Sequence, residues 1–551
     1  MSSDLEVAFP RLDGAQVDAL RAWGRVRPVA ADEHLWRAGE RGFGFFVVLA
    51  GSVEIVDPSG DVPQRVTVHQ PGEFTGDVDV LTGRVSLVEG RMLEAGEVLE
   101  IAPADLRHVV GEMPEISDVL LRAFLMRRTL LLEQGYRGIR IVGSRFSPQA
   151  RRLREFASRN AIPYTWVDLD DDPDAEELLR TFGVRPEQVP IVIGRDGQWA
   201  SNPTVAELAR YMGLDARVEE GEVYDLVVVG AGPAGLAASV YASSEGLRVL
   251  TVDCVAAGGQ AGTSSKIENY LGFPTGVSGA ELAGNALLQA QKFGARISIP
   301  QMATGLGLEG GLRIVKLEDG SRIVARAVLV ASGAEYRSID APGMRELAGG
   351  GVYFAATDME ARLCGGSEVV IVGGGNSAGQ AAMFLSRHAR RVHVVIRGGD
   401  LGKSMSRYLV DRVERTANVR VHHSSHVASV HGDRALEHVT VRNAETGEET
   451  AIAARALFLF IGAVPRTEWL KDCVALDRSG FVLTGHTVPA EARDSQAWHE
   501  AGREPGFLET SLPGVFAAGD VRSGSVKRVA SAVGEGSMAV SLVHAHIGLT
   551  H

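Results

Sequence analysis

Two glycine-rich turns are the strongest chemical feature of the sequence. The first, GAGPAG at residues 230–235, follows an apolar run and precedes an apolar helix pattern. In such a turn the first glycine makes a tight bend, the second lets the backbone approach a pyrophosphate, and the third lets the helix pack on the strand. The N-terminus of that helix offers free N–H groups to phosphates, and an acid about 20 residues later holds ribose hydroxyls. The binding residues predicted from this first unit are Gly230, Gly232, Pro233, Ala234, Gly235 and Asp253.

The second turn has the sequence GGGNSA at residues 373–378 and again lies between a strand pattern and a helix pattern, the helix expected over 379–388. The next strand, residues 392–396, is followed by Arg397 rather than by an acid. An arginine there attracts a 2′-phosphate, which an acid would repel, so the pattern favours NADPH, with NADH as the alternative. Two such units indicate FAD together with a nicotinamide dinucleotide, between which hydride passes. The binding residues predicted from the second unit are Gly373, Gly375, Asn376, Ser377, Ala378 and Arg397.

These turns need strands and helices to position them, and the pattern from residue 223 onward supplies both. Strands alternate with helices there, which is typical of a parallel sheet covered on both faces. Residues 1–133 show short alternating strands with glycines at the turns, ending in a helix over 116–133, and predict a small β-roll. Residues 136–218 predict a small α/β unit that includes an acidic helix over 173–182. We therefore expect an α/β multidomain fold with two Rossmann-like dinucleotide-binding domains.

The composition restricts the functional class. The chain has 551 residues and a formal net charge of −13, which argues against a nucleic-acid binder or a protein of anionic membrane surfaces. The longest apolar run, residues 453–464, is shorter than the ~20 residues that cross a bilayer, and the N-terminus shows no signal-peptide pattern. Three cysteines, far apart in sequence, predict no disulfide framework, so we expect a cytoplasmic protein. His422, His423 and His426 lack a carboxylate or cysteine at ligand spacing, so no metal site is expected.

Residues 222–551 resemble the thioredoxin reductase family. The motifs that carry the resemblance are GGQ at 258–260, IENY at 267–270, ASGA at 331–334, VFAAGD at 515–520, and RVA at 528–530 with GEG at 534–536. The resemblance implies a homodimer whose FAD domain is split into residues 222–340 and 461–551, with the NAD(P)H domain, 341–460, between them. It also implies that Asp520 holds the ribityl chain of the flavin. The further flavin-site residues that it implies are Gly259, Gln260, Asn269, Gly333, Gly519, Arg528 and Val529.

The sequence departs from that family at the redox-active thiols. A thioredoxin reductase carries Cys-x-x-Cys before the second glycine-rich turn, whereas this chain has Ala355 and Asp358 at those positions. Alanine can neither attack a disulfide nor form one, so the relay from flavin through a protein disulfide is absent there. Cys364 is the remaining candidate for a single catalytic thiol, and a structural role in the loop before a strand is the alternative.

The small α/β unit, residues 136–218, resembles a thioredoxin or glutaredoxin domain. The resemblance rests on its strand–turn–helix opening and on Pro190 before a strand. Ser144 and Ser147 occupy the positions of the redox pair, and a serine hydroxyl makes no redox-active disulfide. Docking, dimer contact or positioning are therefore the roles we expect for this domain.

The β-roll, residues 1–133, resembles a cyclic-nucleotide-binding domain through the run PGEFTGDV at 71–78. Asp77 takes the place of the family's glutamate for the ribose, and Ser86 takes the place of its arginine for the cyclic phosphate. Arg84 or Arg91 could substitute only if the loop shifts. The site is thus a degenerate one, for which a structural or partner-binding role is the alternative.

Three functions remain open at this point. The first is an FAD-dependent NAD(P)H oxidoreductase that delivers electrons from the flavin to a quinone, oxygen, a small disulfide or a carrier protein. The second is a thioredoxin-disulfide reductase that uses cysteines of its partner. The third is a nucleotide-sensing regulatory protein with slow turnover. The first is favoured because both glycine-rich turns are intact while no redox thiol pair is present.

Overall fold

A computed structural model of the chain describes residues 2–58, 63–133, 138–172, 179–180, 183–185, 188–194, 198–214, 221–264, 267, 270–344, 347, 351–354, 356, 361, 364–433 and 435–549. Most of the predicted acidic helix over 173–182 lies outside these residues, as do Asn269, Ala355 and Asp358. Within the described residues, no helix combines the length and the apolar character needed to cross a membrane.

The first unit is an antiparallel roll closed by helices. Its five strands run in the order β1-β5-β3-β4, and β2 pairs with β5. Phe45, Phe74 and Phe124 form the centre of its core, with ring centroids 5.7 to 6.2 Å apart. Its elements are β1 (Arg25–Val29), β2 (His34–Trp36), β3 (Phe45–Asp57), β4 (Gln64–His69), β5 (Glu89–Ile101), α1 (Ser2–Ala8), α2 (Gly14–Leu20), α3 (Val78–Thr82), α4 (Pro103–Glu112) and α5 (Pro114–Glu133).

The second unit is a four-stranded sheet in the order β7-β6-β8-β9, as expected for a thioredoxin-like domain. Both serines at the redox positions have local structural partners. Ser147 caps α6 by accepting a hydrogen bond from Ala150 N at 3.2 Å, and Ser144 Oγ donates to Asp170 Oδ2 at 2.6 Å. The elements are β6 (Ile139–Gly143), α6 (Pro148–Arg159), β7 (Tyr164–Asp168), β8 (Ile191–Ile193), β9 (Trp199–Ser201) and α7 (Val205–Met212).

The first Rossmann-like unit has a seven-stranded sheet in the order β12-β11-β10-β15-β14-β13, with β26 paired to β15. Helices α8 and α14 cross so closely that a Cβ on Gly536 would lie 2.1 Å from Ala234 O. The elements are β10 (Val223–Val229), α8 (Pro233–Ser244), β11 (Val249–Val252), α9 (Gly279–Lys292), β12 (Arg296–Ser298), β13 (Ala303–Glu309), β14 (Leu312–Leu317), β15 (Arg322–Val330), β26 (Val515–Ala517) and α14 (Val529–Leu549).

The second Rossmann-like unit is inserted between β15 and β26. Its parallel sheet has the order β17-β24-β18-β19-β20, and a small sheet β21-β22-β23 packs beside it. Helix α10 covers Asn376–Leu385 instead of the predicted 379–388, because it begins directly at the glycine-rich turn, where Gly375 is its N-cap. The elements are β17 (Val352–Tyr353), β18 (Glu368–Val372), α10, β19 (Arg391–Val395), α11 (Arg407–Arg415), β20 (Val419–His422), β21 (Ser425–His431), β22 (His438–Asn443), β23 (Glu449–Ile452) and β24 (Ala454–Leu459).

Short elements connect the two Rossmann-like units and precede β26. The chain passes from the first unit to the second and later returns, and the two connecting segments pair as the antiparallel strands β16 and β25. Two small helices lie in the segment that returns to the first unit. These elements are β16 (Ala334–Tyr336), β25 (Ala463–Pro465), α12 (Ala490–Arg493) and α13 (Gln496–Ala501).

The end of α6 contacts two neighbouring units at once, through a turn at Asn160 and Ala161 that we call the 160–161 turn. From the β-roll, Arg84 donates to Asn160 O at 3.0 Å and Arg128 donates to Ala161 O at 2.7 Å. On the other side, Asn160 Nδ2 donates to Val255 O in the first Rossmann-like unit at 3.0 Å. The thioredoxin-like domain therefore bridges the β-roll and the first Rossmann-like unit.

Candidate functional site

A cavity of about 800 Å³ opens at the carboxyl edge of the first Rossmann-like sheet. This volume is in the range of pockets that hold cofactors. Segments distant in sequence meet there, because β10, β11, β15 and β26 are parallel and end at the same edge of the sheet. The predicted binding residues that line the cavity are Gly230, Gly232, Pro233, Ala234, Asp253, Gly259, Gln260, Gly333, Gly519, Asp520, Arg528 and Val529.

The geometry of the first turn agrees with the tight bend expected at Gly230 and the helix packing expected at Gly235, and it leaves Gly232 open to the cavity. Gly230 has a φ of 110°, and a Cβ there would lie 2.3 Å from Ala331 O. Gly232 faces the cavity, since a Cβ added to it would meet no heavy atom nearer than Gly259 Cα at 3.9 Å. A Cβ on Gly235 would lie 1.8 Å from Gly230 O. Gly235 therefore packs α8 onto the strand and, unlike the other two, does not line the cavity.

Asp253 fastens the turn to the loop after β11. Its Oδ2 accepts a hydrogen bond from Ala231 N at 2.8 Å, and its Oδ1 accepts one from Val255 N at 2.8 Å. An ionised carboxylate has about four acceptor sites, so lone pairs are left over for ribose hydroxyls. The sequence prediction for Asp253 is thus compatible with its position on the cavity wall.

The turn after β26 is held by an ion pair beneath the cavity. Glu535 Oε2 accepts a hydrogen bond from Gly519 N at 2.7 Å, and Arg522 Nε lies 3.2 Å from the same oxygen. Burial raises the pKa of the neighbouring Asp520, while the charge of Lys527 acts to lower it. The side chain of Lys527 also contacts Asp520 O. Glu535 thereby positions the Gly519–Asp520 backbone.

Several residues on the cavity wall were not predicted from the sequence. Arg159 comes from the thioredoxin-like domain, and its Nη2 donates to Gly259 O at 3.0 Å. Arg466 lies with Nη1 3.2 Å from Cys254 Sγ, and burial raises the pKa of that thiol. The sequence could have indicated Lys527, because it precedes the predicted binding residue Arg528. No nearby motif in the sequence points to Arg159. The other unpredicted lining residues include Gln301, Met302, Thr304, Glu335 and Trp469.

The second glycine-rich turn lies at the edge of the second Rossmann-like sheet. Gly373 has a φ of 144°, and a Cβ there would lie 2.3 Å from Phe460 O. Because β18 and β19 are parallel neighbours with Val372 paired to Val395, Arg397 follows its strand at the same edge as the turn. Arg397 is exposed. The structure thus brings the predicted arginine to the side of the turn where a dinucleotide would bind.

The residues that begin α10 do not all face solvent. Ser377 is exposed, whereas Ala378 is buried in the apolar core of this unit. Asn376 Oδ1 accepts a hydrogen bond from Ser406 N at 2.7 Å, and Ser404 Oγ donates to Gly374 O at 2.9 Å. The loop before α11 is therefore attached to the turn, and the side chain of Asn376 is part of that attachment.

The structure describes all three cysteines, and none is in a disulfide. Cys364 is 1 % exposed and belongs to the apolar core of the second Rossmann-like unit. Cys473 Sγ donates to Leu306 O at 3.0 Å. Cys254 is half-buried and lines the first cavity.

Comparison with known proteins decides the family. The model of the pyridine nucleotide-disulphide oxidoreductase family matches residues 224–536, which is more than half of the chain. The chain belongs to this family. The model of the cyclic nucleotide-binding domain matches residues 26–112 within the β-roll. The resemblances drawn for residues 222–551 and for the β-roll are confirmed.

The relatives cover the C-terminal part of this oxidoreductase. The chain is similar to the 34.2 kDa protein in the rubredoxin operon of Clostridium pasteurianum, with 31% identity over 60% of this chain and 99% of that protein. It is similar to the thioredoxin reductase of Treponema pallidum, with 33% identity over 59% of this chain and 97% of that protein. Among solved structures, T. acidophilum thioredoxin reductase matches at a TM-score of 0.52 and 30% identity, over 59% of this chain and 99% of that one.

The protein is an FAD-dependent NAD(P)H oxidoreductase of the thioredoxin reductase type, with FAD and NADPH as its cofactors. The first cavity fits a flavin dinucleotide. Gly232 and Gly333 both line it, and a Cβ on either would meet no heavy atom closer than 3.9 Å, so their missing side chains leave room for a ligand. The N-terminus of α8 opens onto the same space, where its N–H groups suit a pyrophosphate.

Proposed function

We propose that this oxidoreductase passes electrons from NADPH through FAD to an acceptor outside the chain, without an internal dithiol. The acceptor is a quinone, oxygen, a small disulfide or a carrier protein. The observation that carries the proposal is the combination of a cavity of about 800 Å³, lined by most of the predicted flavin-binding residues, with a Cys364 thiol that is only 1 % exposed. Bound FAD would supply the site that accepts hydride from the nicotinamide and returns electrons singly or in pairs.

The residues that would hold FAD surround the first cavity. The first glycine-rich turn and the start of α8 would bind the pyrophosphate, and Asp253 would bind the adenosine ribose. Asp520 would hold the ribityl chain, on a backbone that Glu535 positions. Arg528, Val529, Gly259, Gln260 and Gly333 would complete the contacts, and Asn269 is included on the resemblance of its motif alone.

The residues that would hold NADPH lie at the second turn. Gly373, Gly375 and Ser377 would admit the pyrophosphate at the N-terminus of α10. Arg397, exposed at the same sheet edge, would pair with the 2′-phosphate through its planar guanidinium. NADPH is therefore the expected donor, with NADH a weaker substrate.

No cysteine stands at the positions where the family has its redox-active pair. Disulfide exchange requires a thiolate that reaches a sulfur of its partner. The sequence has Ala355 and Asp358 at the positions of the family's cysteines. Cys364 is buried in the same apolar core as Val369 and Ala382, where a thiolate would be poorly solvated. An acceptor that takes electrons directly from the flavin needs none of these groups.

The test is an acceptor panel with the full-length holoprotein. NADPH oxidation is measured with menadione, with ferredoxin and with oxidised thioredoxin, for the parent and for Cys364→Ser. We expect menadione-dependent turnover whose kcat changes less than about twofold in the variant. Thioredoxin turnover by the parent, or a tenfold loss in the variant (about 1.4 kcal/mol of barrier), would contradict the proposal.

Thioredoxin-disulfide reduction is the second candidate, and the names of relatives such as the thioredoxin reductase of Treponema pallidum favour it. In this chain it would use cysteines of the partner protein, since the sequence contains no Cys-x-x-Cys. The same panel separates the two candidates, because only this second function predicts turnover of thioredoxin. Cytoplasmic location, a homodimer and the domain limits given above remain part of the proposal.

A further inference from the structure

A second cavity, of about 100 Å³, lies inside the β-roll. Both Asp77 and Ser86, the two positions that correspond to nucleotide-binding residues of the cyclic-nucleotide-binding domain, line it. The cavity is therefore at the place where that domain would hold its ligand. Helix α1 and the segment after it close one side through Leu5 and Phe9.

Ser86 stands at the position of the family's phosphate-binding arginine, and its hydroxyl is bonded within the protein. Ser86 Oγ accepts a hydrogen bond from Trp36 Nε1 at 3.0 Å and donates to Val88 O at 2.7 Å. The two arginines that could have substituted are directed elsewhere. Arg84 donates to Asn160 O at 3.0 Å, and Arg91 Nη2 lies 2.7 Å from Glu54 Oε2.

The N–H groups of the arginine that lines the cavity are already bonded to the protein backbone. Arg127 donates to the carbonyl oxygens of Ala8, Gly76 and Phe74 at 2.7, 2.6 and 3.0 Å. Asp77 Oδ1 accepts from Asp79 N at 2.9 Å, and burial, then the charge of Asp79, raise the pKa of Asp77 to about 7, so this carboxyl supplies no positive charge either. Burial lowers the pKa of His69 to about 4, so this ring is neutral at pH 7. To gain a hydrogen bond from Arg127, a phosphate would have to displace these backbone contacts and leave the buried carbonyl oxygens unpaired, which is costly.

Aromatic rings form the walls instead. Trp36 stacks against Phe43, with ring centroids 5.6 Å apart and an interplanar angle of 21°. Phe9 and the aliphatic side chains of Ile55 and Val66 complete the walls. Rings in such a wall favour another ring in an offset or edge-on arrangement. At about 100 Å³ this cavity is smaller than an engineered apolar cavity of about 150 Å³ that binds benzene, so it admits at most one ring and excludes a nucleotide.

We propose that the β-roll cavity binds a small uncharged aromatic molecule of one ring, and not a cyclic nucleotide. The ring would contact Phe9, Trp36 and Phe43 from inside the cavity, and a polar substituent would face the His69 side. This inference concerns the N-terminal domain alone and does not depend on which acceptor the flavin serves.

The proposal is tested with 4-fluorophenol, followed by fluorine NMR on the full-length holoprotein saturated with NADP⁺, so that the nicotinamide site is already filled. We expect one saturable site with a Kd between about 10 μM and 1 mM, as a ligand of this size allows. Cyclic AMP at millimolar concentration should leave the bound signal unchanged. Absence of saturable binding, or displacement by cyclic AMP, would overturn the proposal without the need for any variant.

A pair of variants locates the site. Val66→Phe places a ring in the cavity and should weaken 4-fluorophenol binding at least tenfold. Val26→Phe is the matched control, because Val26 is 43% exposed on β1, and it should change the Kd less than twofold. Near-ultraviolet circular dichroism verifies that both variants are folded. Equal binding by a folded Val66→Phe and its control would place the ligand elsewhere and refute the inference.

Discussion

The two Rossmann-like units have the same strand–turn–helix fingerprint but place it in different surroundings. The first turn opens into a cavity of about 800 Å³ whose walls come from several chain segments, including Arg159 of a neighbouring domain. The second turn lies at an open sheet edge, where Ser377 and Arg397 are exposed. A ligand enclosed on several sides dissociates slowly, whereas one bound at an open edge exchanges readily. The difference matches a cofactor that stays bound and a nicotinamide that must leave after each turnover.

The largest expected effect comes from adding a side chain to the enclosed turn. Gly230→Ala forces a Cβ to within 2.3 Å of Ala331 O at a residue whose φ is 110°. We expect the purified variant to lose nearly all bound FAD, measured by its absorbance at 450 nm relative to 280 nm. Gly284→Ala is the control, because a Cβ there meets nothing within 4 Å. A yellow Gly230→Ala protein with normal FAD content would show that the turn does not determine flavin binding.

The next effect concerns the support beneath the enclosed site. Glu535→Ala removes the acceptor of Gly519 N and leaves the half-buried Arg522 without this partner. Loss of such a partner costs about 1–3 kcal/mol, so the FAD dissociation rate should rise by roughly tenfold or more. Release is followed by the recovery of flavin fluorescence after dilution. Glu535→Gln retains an acceptor oxygen and should restore part of the loss, which an effect of misfolding alone would not produce.

A smaller effect is expected at the open turn. Arg397→Ala removes the guanidinium offered to the 2′-phosphate, so the KM for NADPH should rise about tenfold while the KM for NADH changes little. The FAD content should remain unchanged, which separates the two sites. Arg391→Ala is the matched control, because Arg391 is exposed at the opposite end of the same strand. Equal changes of the KM for NADPH and NADH would remove Arg397 from the phosphate site.

The smallest effect is a pH dependence of stability in the second unit. Burial, and then the charge of His393, lower the pKa of His422 from 6.5 to about 4. The unfolded chain binds a proton at His422 before the folded one does, so stability falls as the pH drops from about 6.5 towards 4. His422→Asn should therefore reduce the difference in Tm between pH 7 and pH 5. His423→Asn serves as the control, and a larger difference in the His422 variant would contradict the assignment.

Local patterns predicted the parts of the site that one chain segment builds by itself. The strand, turn and helix around Gly230 are encoded in consecutive residues, and the motifs at 258–260 and 515–520 were identified by their resemblance to the thioredoxin reductase family. Arg159 was not predicted because it donates to Gly259 O from a different domain, and a motif within one chain segment cannot indicate a contact between domains. Gly235 was included among the binding residues, but its position agrees with its expected role of packing the helix on the strand. Ala378, also included, is buried in the apolar core of its unit, which the fingerprint alone did not indicate.

The 160–161 turn and the adjacent Arg159 join the wall of the flavin site to a domain outside the part of the chain that relatives such as the Clostridium pasteurianum protein match. The Clostridium pasteurianum protein aligns over 99% of its length with only 60% of this chain, so it completes its fold without the first two domains. Here Asn160 and Arg159 supply hydrogen bonds to the carbonyl oxygens of Val255 and Gly259. Excision of residues 1–218 would expose those oxygens to water and loosen the adjoining cavity wall. A shortened enzyme that begins at residue 219 should therefore release its FAD faster than the full-length chain.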